Sequence, residues 1–179
     1  MATATHSSTT KSKSRSAAAK KAAATRAKNA INLLKADHRE VEKLFGQFEK
    51  ASGEERKMQL VRKICMELKI HMQIEEEIFY PTSRDFLNDD DIVNEAIVEH
   101  QAAKDLMEQI PGMDPADEMF DAKVSVLKEQ IEHHVEEEEK EYFPKVQKTD
   151  MDLQAIGEQL MMRKKELKAQ MKGDGMEMH

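Results

Sequence analysis

A chain of 179 residues is long enough for one domain with a real core plus a tail, and two full domains would be crowded in it. With 35% charged residues, 6 Gly, 4 Pro, no Trp and no runs of alternating Val, Ile and Thr, the composition points to an all-α fold. The single cysteine, Cys65, excludes a disulfide framework and any cysteine-based metal cluster within one chain, and the net charge of −7 hides a division: residues 1–30 carry +7 with no acid, so residues 31–179 stand at −14.

In chain order, residues 1–28 hold Lys11, Lys13, Arg15, Lys20, Lys21, Arg26 and Lys28 and almost no bulky apolar side chain. They cannot bury a face, and the expectation is a disordered basic tail. Such a tail can contact nucleic acid or another anionic surface, or serve as a solubilising extension that folds back on the acidic body. A transit peptide is the third reading, against which Lys outnumbers Arg and no amphipathic face is present. From Asn29 to about Ala51, Leu33, Leu34, Val41, Leu44, Phe45 and Phe48 recur at helical spacing, and Ser52-Gly53 breaks the run. A second helix begins near Glu54 and runs through Met58, Val61, Ile64, Leu68, His71, Glu75 and Ile78 towards Pro81, with Thr82 or Ser83 available to cap the next segment. The third helix, about 89–109, turns Ile92, Val93, Ala96, Ile97, Ala103, Leu106 and Met107 inward, and PGMDP at 111–115 reads as a turn. A fourth covers roughly 116–146, and a fifth, more polar and expected outside the bundle, covers about 151–171 after Thr149 or Asp150 as cap. Short links favour antiparallel neighbours, so the first four helices should form an up-down-up-down four-helix bundle over 29–148, with 149–179 as an extra helix and a frayed end. No apolar run approaches a membrane span or a secretory segment, and the single thiol suits a reducing compartment, so the expected product is a cytoplasmic monomer without membrane contact.

One stretch occurs twice. Ile64–Pro81, ICMELKIHMQIEEEIFYP, and Leu127–Pro144, LKEQIEHHVEEEEKEYFP, superpose at an offset of 63 residues, placing His71 on His134, Glu75 on Glu138 and Pro81 on Pro144. In a helix these positions share one face, so each copy carries an apolar stripe interrupted by a histidine and, one turn later, a glutamate. Burying both groups without compensation costs several kcal/mol, and metal coordination is one of the few arrangements that satisfies both. Of the seven histidines, His6 and His179 fall in expected disorder, and four others have an acid at i+4. The distance to the proline selects His71 and His134, ten residues before Pro81 and Pro144, and leaves His133 on a solvated face with Val126, Gln130 and Glu137. His38 and His100 continue the stripes of the first and third helices. Glu42 has Lys104 in its place in the second copy and reads as a surface acid, and Cys65 lies off the ligand face as a packed thiol.

Four helices thus each direct one histidine inward, and two of them add a glutamate. Six protein ligands are too many for one zinc ion, and imidazole with carboxylate suits iron first and manganese second. If both glutamates bridge, two ions keep open positions for a small molecule. The order His38, then His71 with Glu75, then His100, then His134 with Glu138, followed by EEEIFYP and EEEKEYFP, resembles the hemerythrin-like HHE cation-binding domain over about residues 30–146. The resemblance implies a four-helix bundle holding a non-haem diiron centre with those six residues as ligands. It implies binding or sensing of oxygen or another small diatomic or peroxide ligand. The alternatives are turnover of peroxide or nitric oxide, and iron storage. Oxygen-carrying members have a fifth histidine ligand with no obvious counterpart here. No cofactor loop and no nucleophile paired with a base is present, which favours a binding protein over an enzyme.

Overall fold

The computed structural model describes residues 29–173, and all regular structure among them is helical. The basic tail expected at 1–28 and the final residues 174–179 lie outside the described residues. Among those described, no helix is long and apolar enough to cross a membrane.

Helix α1 (Ala30–Glu49) starts at Asn29, whose side chain accepts from the backbone N–H groups of Ile31 and Asn32 at 3.1 and 3.4 Å. Gly53, with φ of 91°, takes a backbone conformation open to a residue without Cβ and turns the chain into α2 (Glu54–Ile74). Pro81 does not end this second rod. A π-helical turn, Glu75–Phe79, leads into α3 (Tyr80–Phe86), and the backbone N–H of Tyr80 reaches the carbonyl of Glu75 five residues back. A proline ring in an ordinary α-helix clashes with the carbonyl four residues before it; the widened turn accommodates Pro81 without a stop. The same device recurs at Glu138–Tyr142 before Pro144, between α5 (Phe120–Glu137) and α6 (Phe143–Val146). The extra residue in each turn lets two consecutive aromatics, Phe79 with Tyr80 and Tyr142 with Phe143, face inward together.

Several expected boundaries move for local reasons. Thr82 and Ser83 sit inside α3, bonding back to the carbonyls of Ile78 and Tyr80, and the cap of α4 (Asp90–Gln109) is Asp89, which accepts from the N–H of Ile92. After a 3-10 turn at Ile110–Gly112, α5 starts at Phe120 rather than near 116. The carboxylates of Asp114 and Asp117 accept from the N–H groups of Ala116 and Met119, and these local turns compete with helix. On α4, Ile97 is 40% exposed instead of inward. The last helix, α7 (Leu153–Gly173), is capped by Asp152, which accepts from the N–H groups of Gln154 and Ala155, rather than by Thr149 or Asp150.

Helix α1 packs on α2, α4 on α5, and α7 lies across α1 and α2. Although polar on its outer side, α7 buries Ile156, Leu160 and Leu167 in one cluster with Ile31, Leu34, Ile70 and Ile74. Each such burial contributes about 1.5–3 kcal/mol relative to exposure, so α7 is part of the core rather than an appendage. That cluster also holds Phe79, Tyr80, Tyr142 and Phe143, while a second cluster gathers Val41, Phe45, Leu68, Ala103, Leu127 and Ile131. His38 on α1 stands between Leu34 of the first cluster and Val41 of the second, and His100 on α4 between Ala96 and Ala103. The core is therefore two apolar layers with one polar layer between them.

Candidate metal centre

The polar layer contains the four residues of the duplicated motif together with His38 and His100 from the first and third stripes. His38, His71, Glu75, His100, His134 and Glu138 are each at most 4% exposed. They form two overlapping donor groups, His38–His71–Glu75–Glu138 and Glu75–His100–His134, with the ligand atoms in each group within 4.8 Å of one another. The rings of His38 and His71 lie 4.9 Å apart and those of His100 and His134 lie 4.6 Å apart. Each glutamate stands between the two pairs. Glu75 Oε2 is 3.2 Å from His71 Nε2 and 3.4 Å from His100 Nε2, and Glu138 Oε2 is 3.2 Å from His38 Nε2 and 3.7 Å from His134 Nε2.

Orientation comes from a ring of carboxylates that the duplicated motif does not single out. His38 Nδ1 meets Glu139 at 2.9 Å, His100 Nδ1 meets Glu76 at 2.8 Å and His134 Nδ1 meets Glu99 at 2.7 Å. His71 Nδ1 faces Asp37 at 3.6 Å, an ion-pair rather than a hydrogen-bond distance. A carboxylate on Nδ1 places the proton there and leaves Nε2 as a lone pair directed inward, the arrangement by which proteins orient metal-binding imidazoles. The signal in the sequence is adjacency: Asp37 and Glu99 precede His38 and His100, and Glu76 and Glu139 follow Glu75 and Glu138. Beyond this ring come cations. Lys104 donates to both oxygens of Glu76 at 2.6 Å, Arg39 donates to Glu139, and Lys164 of α7 donates to Asp37. Glu99 instead meets His133, 65% exposed, whose Nε2 lies 3.5 Å from Glu99 and 3.2 Å from Glu137. Glu42 is a surface acid paired with Arg39 at 2.8 Å.

The inner donors fit cations and are poorly satisfied by each other. His38 Nε2, His71 Nε2, both carboxylate oxygens of Glu75 and Glu138 Oε2 are buried and have no hydrogen-bond partner, although they belong to one close-set layer. An unsatisfied buried polar atom costs about 1–3 kcal/mol, so this set is a standing demand for positive charge. The electrostatics agree. Burial, reinforced by the neighbouring Glu138 charge, pushes Glu75 well above the carboxylate range. Glu138 is equally buried, but His134, His38 and His71 outweigh that and hold it well below the range. Burial brings His71 down to about 4, keeping it a neutral ligand-ready imidazole.

One aromatic breaks the two-fold pattern. The Tyr80 hydroxyl donates to Glu138 Oε1 at 2.9 Å and lies 3.2 Å from His100 Nε2, whereas its counterpart Phe143 stacks on His38 with ring centres 5.9 Å apart. Two voids adjoin the layer. A small one of about 10 Å³ is bordered by His38, His71 and His134 on one side and by apolar Val41, Leu68, Met72 and Ile131 on the other. A groove of about 390 Å³ between α1 and α5 opens to the surface beside Arg39 and Glu139 and shares His38, Ile131 and Val135 with it. Cys65 is half-buried, as a packed thiol should be, and burial pushes it up to about 12.

Comparison with known proteins gives three findings. The family model described as Hemerythrin HHE cation binding domain matches residues 29–146. A DNA nickase from Nostoc sp. (strain PCC 7120) is 29% identical over 115 residues, 64% of this chain and 32% of that protein, so the chain spans about a third of that relative. The crystal structure of a Hemerythrin HHE cation binding domain-containing protein from Mycobacterium kansasii matches with a TM-score of 0.70 at 24% identity, covering 79% of this chain and 88% of that one, a likeness of fold.

Proposed function

From the premise that this chain belongs to the hemerythrin HHE cation binding domain family, we propose that it is a non-haem diiron protein, built as a four-helix bundle over residues 29–148, that binds or senses oxygen or a related small diatomic or peroxide ligand. The observation that carries this reading is the set of buried, partnerless donor atoms turned into one layer. In it, His38 with His71 would hold one ion and His100 with His134 the other, with Glu75 and Glu138 available to both. Two iron ions there supply one-electron redox chemistry and open coordination positions.

The chain's own residues do the rest. The carboxylates of Glu139, Glu76 and Glu99 on Nδ1 of His38, His100 and His134 fix those imidazole tautomers, and the Tyr80 hydroxyl holds one face of Glu138 through a donated hydrogen bond. The void of about 10 Å³ is at the lower limit for a single water molecule, and its apolar wall of Val41, Leu68, Met72 and Ile131 keeps bulk solvent out. That size and polarity favour a small uncharged ligand over storage of many ions. The groove at Arg39 supplies its way in. We place the protein in the cytoplasm as a monomer, with the basic tail 1–28 directing its location rather than its metal content.

An anaerobic-to-aerobic optical titration of the reduced iron form tests the reading. Appearance of a stable charge-transfer band that disappears on removal of oxygen is the expected result. Steady consumption of peroxide or nitric oxide without an adduct would replace it by an enzyme, and an inert spectrum with freely exchanging iron would replace it by storage.

A further inference from the structure

A separate cavity of about 280 Å³ lies between α2, α4 and the end of α7, where the metal layer has no part in its lining. Its floor is soft and apolar: Cys65, Met66, Met107, Pro111 and Met171. Arg62, Lys69 and Lys104 stand around it, with Glu108 as the one acid. The spacing of 62, 65, 66 and 69 puts two cations and the sulfur floor between them on one face of α2. Lys104 is engaged with Glu76, whereas Arg62 and Lys69 make no ion pair among the described residues.

Unpaired cations are unusual company for an apolar hollow in a body that stands at −14 over residues 31–179. Methionine side chains are flexible and polarizable, and they accommodate apolar guests of varied shape. A volume of about 280 Å³ is close to the lower end of small-ligand sites, roughly 300–1,000 Å³. We propose that this cavity binds a small amphiphilic anion, its apolar chain on the Cys65–Met66–Met107–Met171 floor and its carboxylate at Arg62 and Lys69.

Octanoate below its micelle concentration is the probe, titrated by calorimetry into the full chain, with n-octanol and octyltrimethylammonium as controls for the head group. One molecule of octanoate should bind per chain, about tenfold more tightly than either control. The double substitution Arg62→Glu with Lys69→Glu should weaken octanoate about tenfold, the sum expected of exposed charge contacts, while circular dichroism and melting temperature stay unchanged. Lys104 is left intact because it also holds Glu76. Position is read independently at the only cysteine: octanoate should slow alkylation of Cys65 by N-ethylmaleimide in the parent and not in the double variant. Equal affinity for the three head groups, no binding of octanoate, undiminished binding by the charge-reversed variant, or an unprotected Cys65 would each overturn the proposal.

Discussion

The two halves of the molecule, α1 to α3 and α4 to α6, solve the same problem with one plan and then diverge. In the innermost ring His38, His71 and Glu75 have His100, His134 and Glu138 as counterparts without exception. In the next ring Asp37 and Glu76 have Glu99 and Glu139, and each carboxylate faces an Nδ1. Beyond that the likeness ends. Asp37 takes its cation from α7, outside the repeat, while Glu99 takes an exposed histidine, and Tyr80 in one half is Phe143 in the other. Symmetry is kept where a group must set the direction of a metal-facing lone pair, and is relaxed where a group only balances charge or borders the space left for a ligand.

Substitutions in matched positions test how far that comparison goes. After removal of the inner ligands themselves, the largest effects belong to the second ring: Glu76→Gln and Glu139→Gln should each weaken metal binding about 10–100-fold, and by similar factors, measured by competition with a chelator of known affinity. A tenfold disparity between them would end the claim of equivalence. Next comes metal-free stability, where the halves should differ. Glu138 accepts a hydrogen bond from Tyr80 and is held charged chiefly by His134, so Glu138→Gln should cost about 1–3 kcal/mol in urea unfolding. Glu75 accepts none and is pushed towards its neutral form by burial, so Glu75→Gln should change stability by less than about 1 kcal/mol.

A smaller effect comes from position 65, where one half has a thiol and the other Lys128. Cys65 ionises near 12 when folded against 9.0 for an ordinary thiol. Its folded-state value is raised, so the unfolded chain loses the proton first. Stability should then fall as pH rises from about 9 towards 12, by at most about 1.4 kcal/mol per pH unit, and Cys65→Ala should remove that part of the slope. The outer cations should matter least: Lys104→Ala and Lys164→Ala should each cost about 0.2–1 kcal/mol, because these pairs are partly exposed.

The reach of the sequence follows the same division between rings. His71 with Glu75 and His134 with Glu138 are legible because an ionisable pair interrupts an apolar stripe at the same place twice. Asp37, Glu76, Glu99 and Glu139 are not legible, although they sit next to the inner residues, since one acid among many carries no contrast. The helical class follows from composition and periodicity, but the π turns before Pro81 and Pro144 do not. A proline reads as a stop unless the preceding turn widens, and that depends on what Phe79, Tyr80, Tyr142 and Phe143 pack against. The start of α5 falls later than periodicity suggests because Asp114 and Asp117 bond their own backbone instead of leading the helix. Helix α7 reads as external because its fully buried apolar residues, Ile156, Leu160 and Leu167, make a narrow stripe in a mostly polar sequence.

The central claim is that six residues of one polar layer hold two ions, and an anaerobic titration with ferrous iron followed by metal analysis tests it most directly. The parent chain should retain about two ions, as two three-to-four-donor groups sharing a glutamate require, and the His71→Ala, His134→Ala double variant should retain almost none while remaining helical. Retention of less than about half an ion by the parent, or an unchanged content in the double variant, would contradict the account.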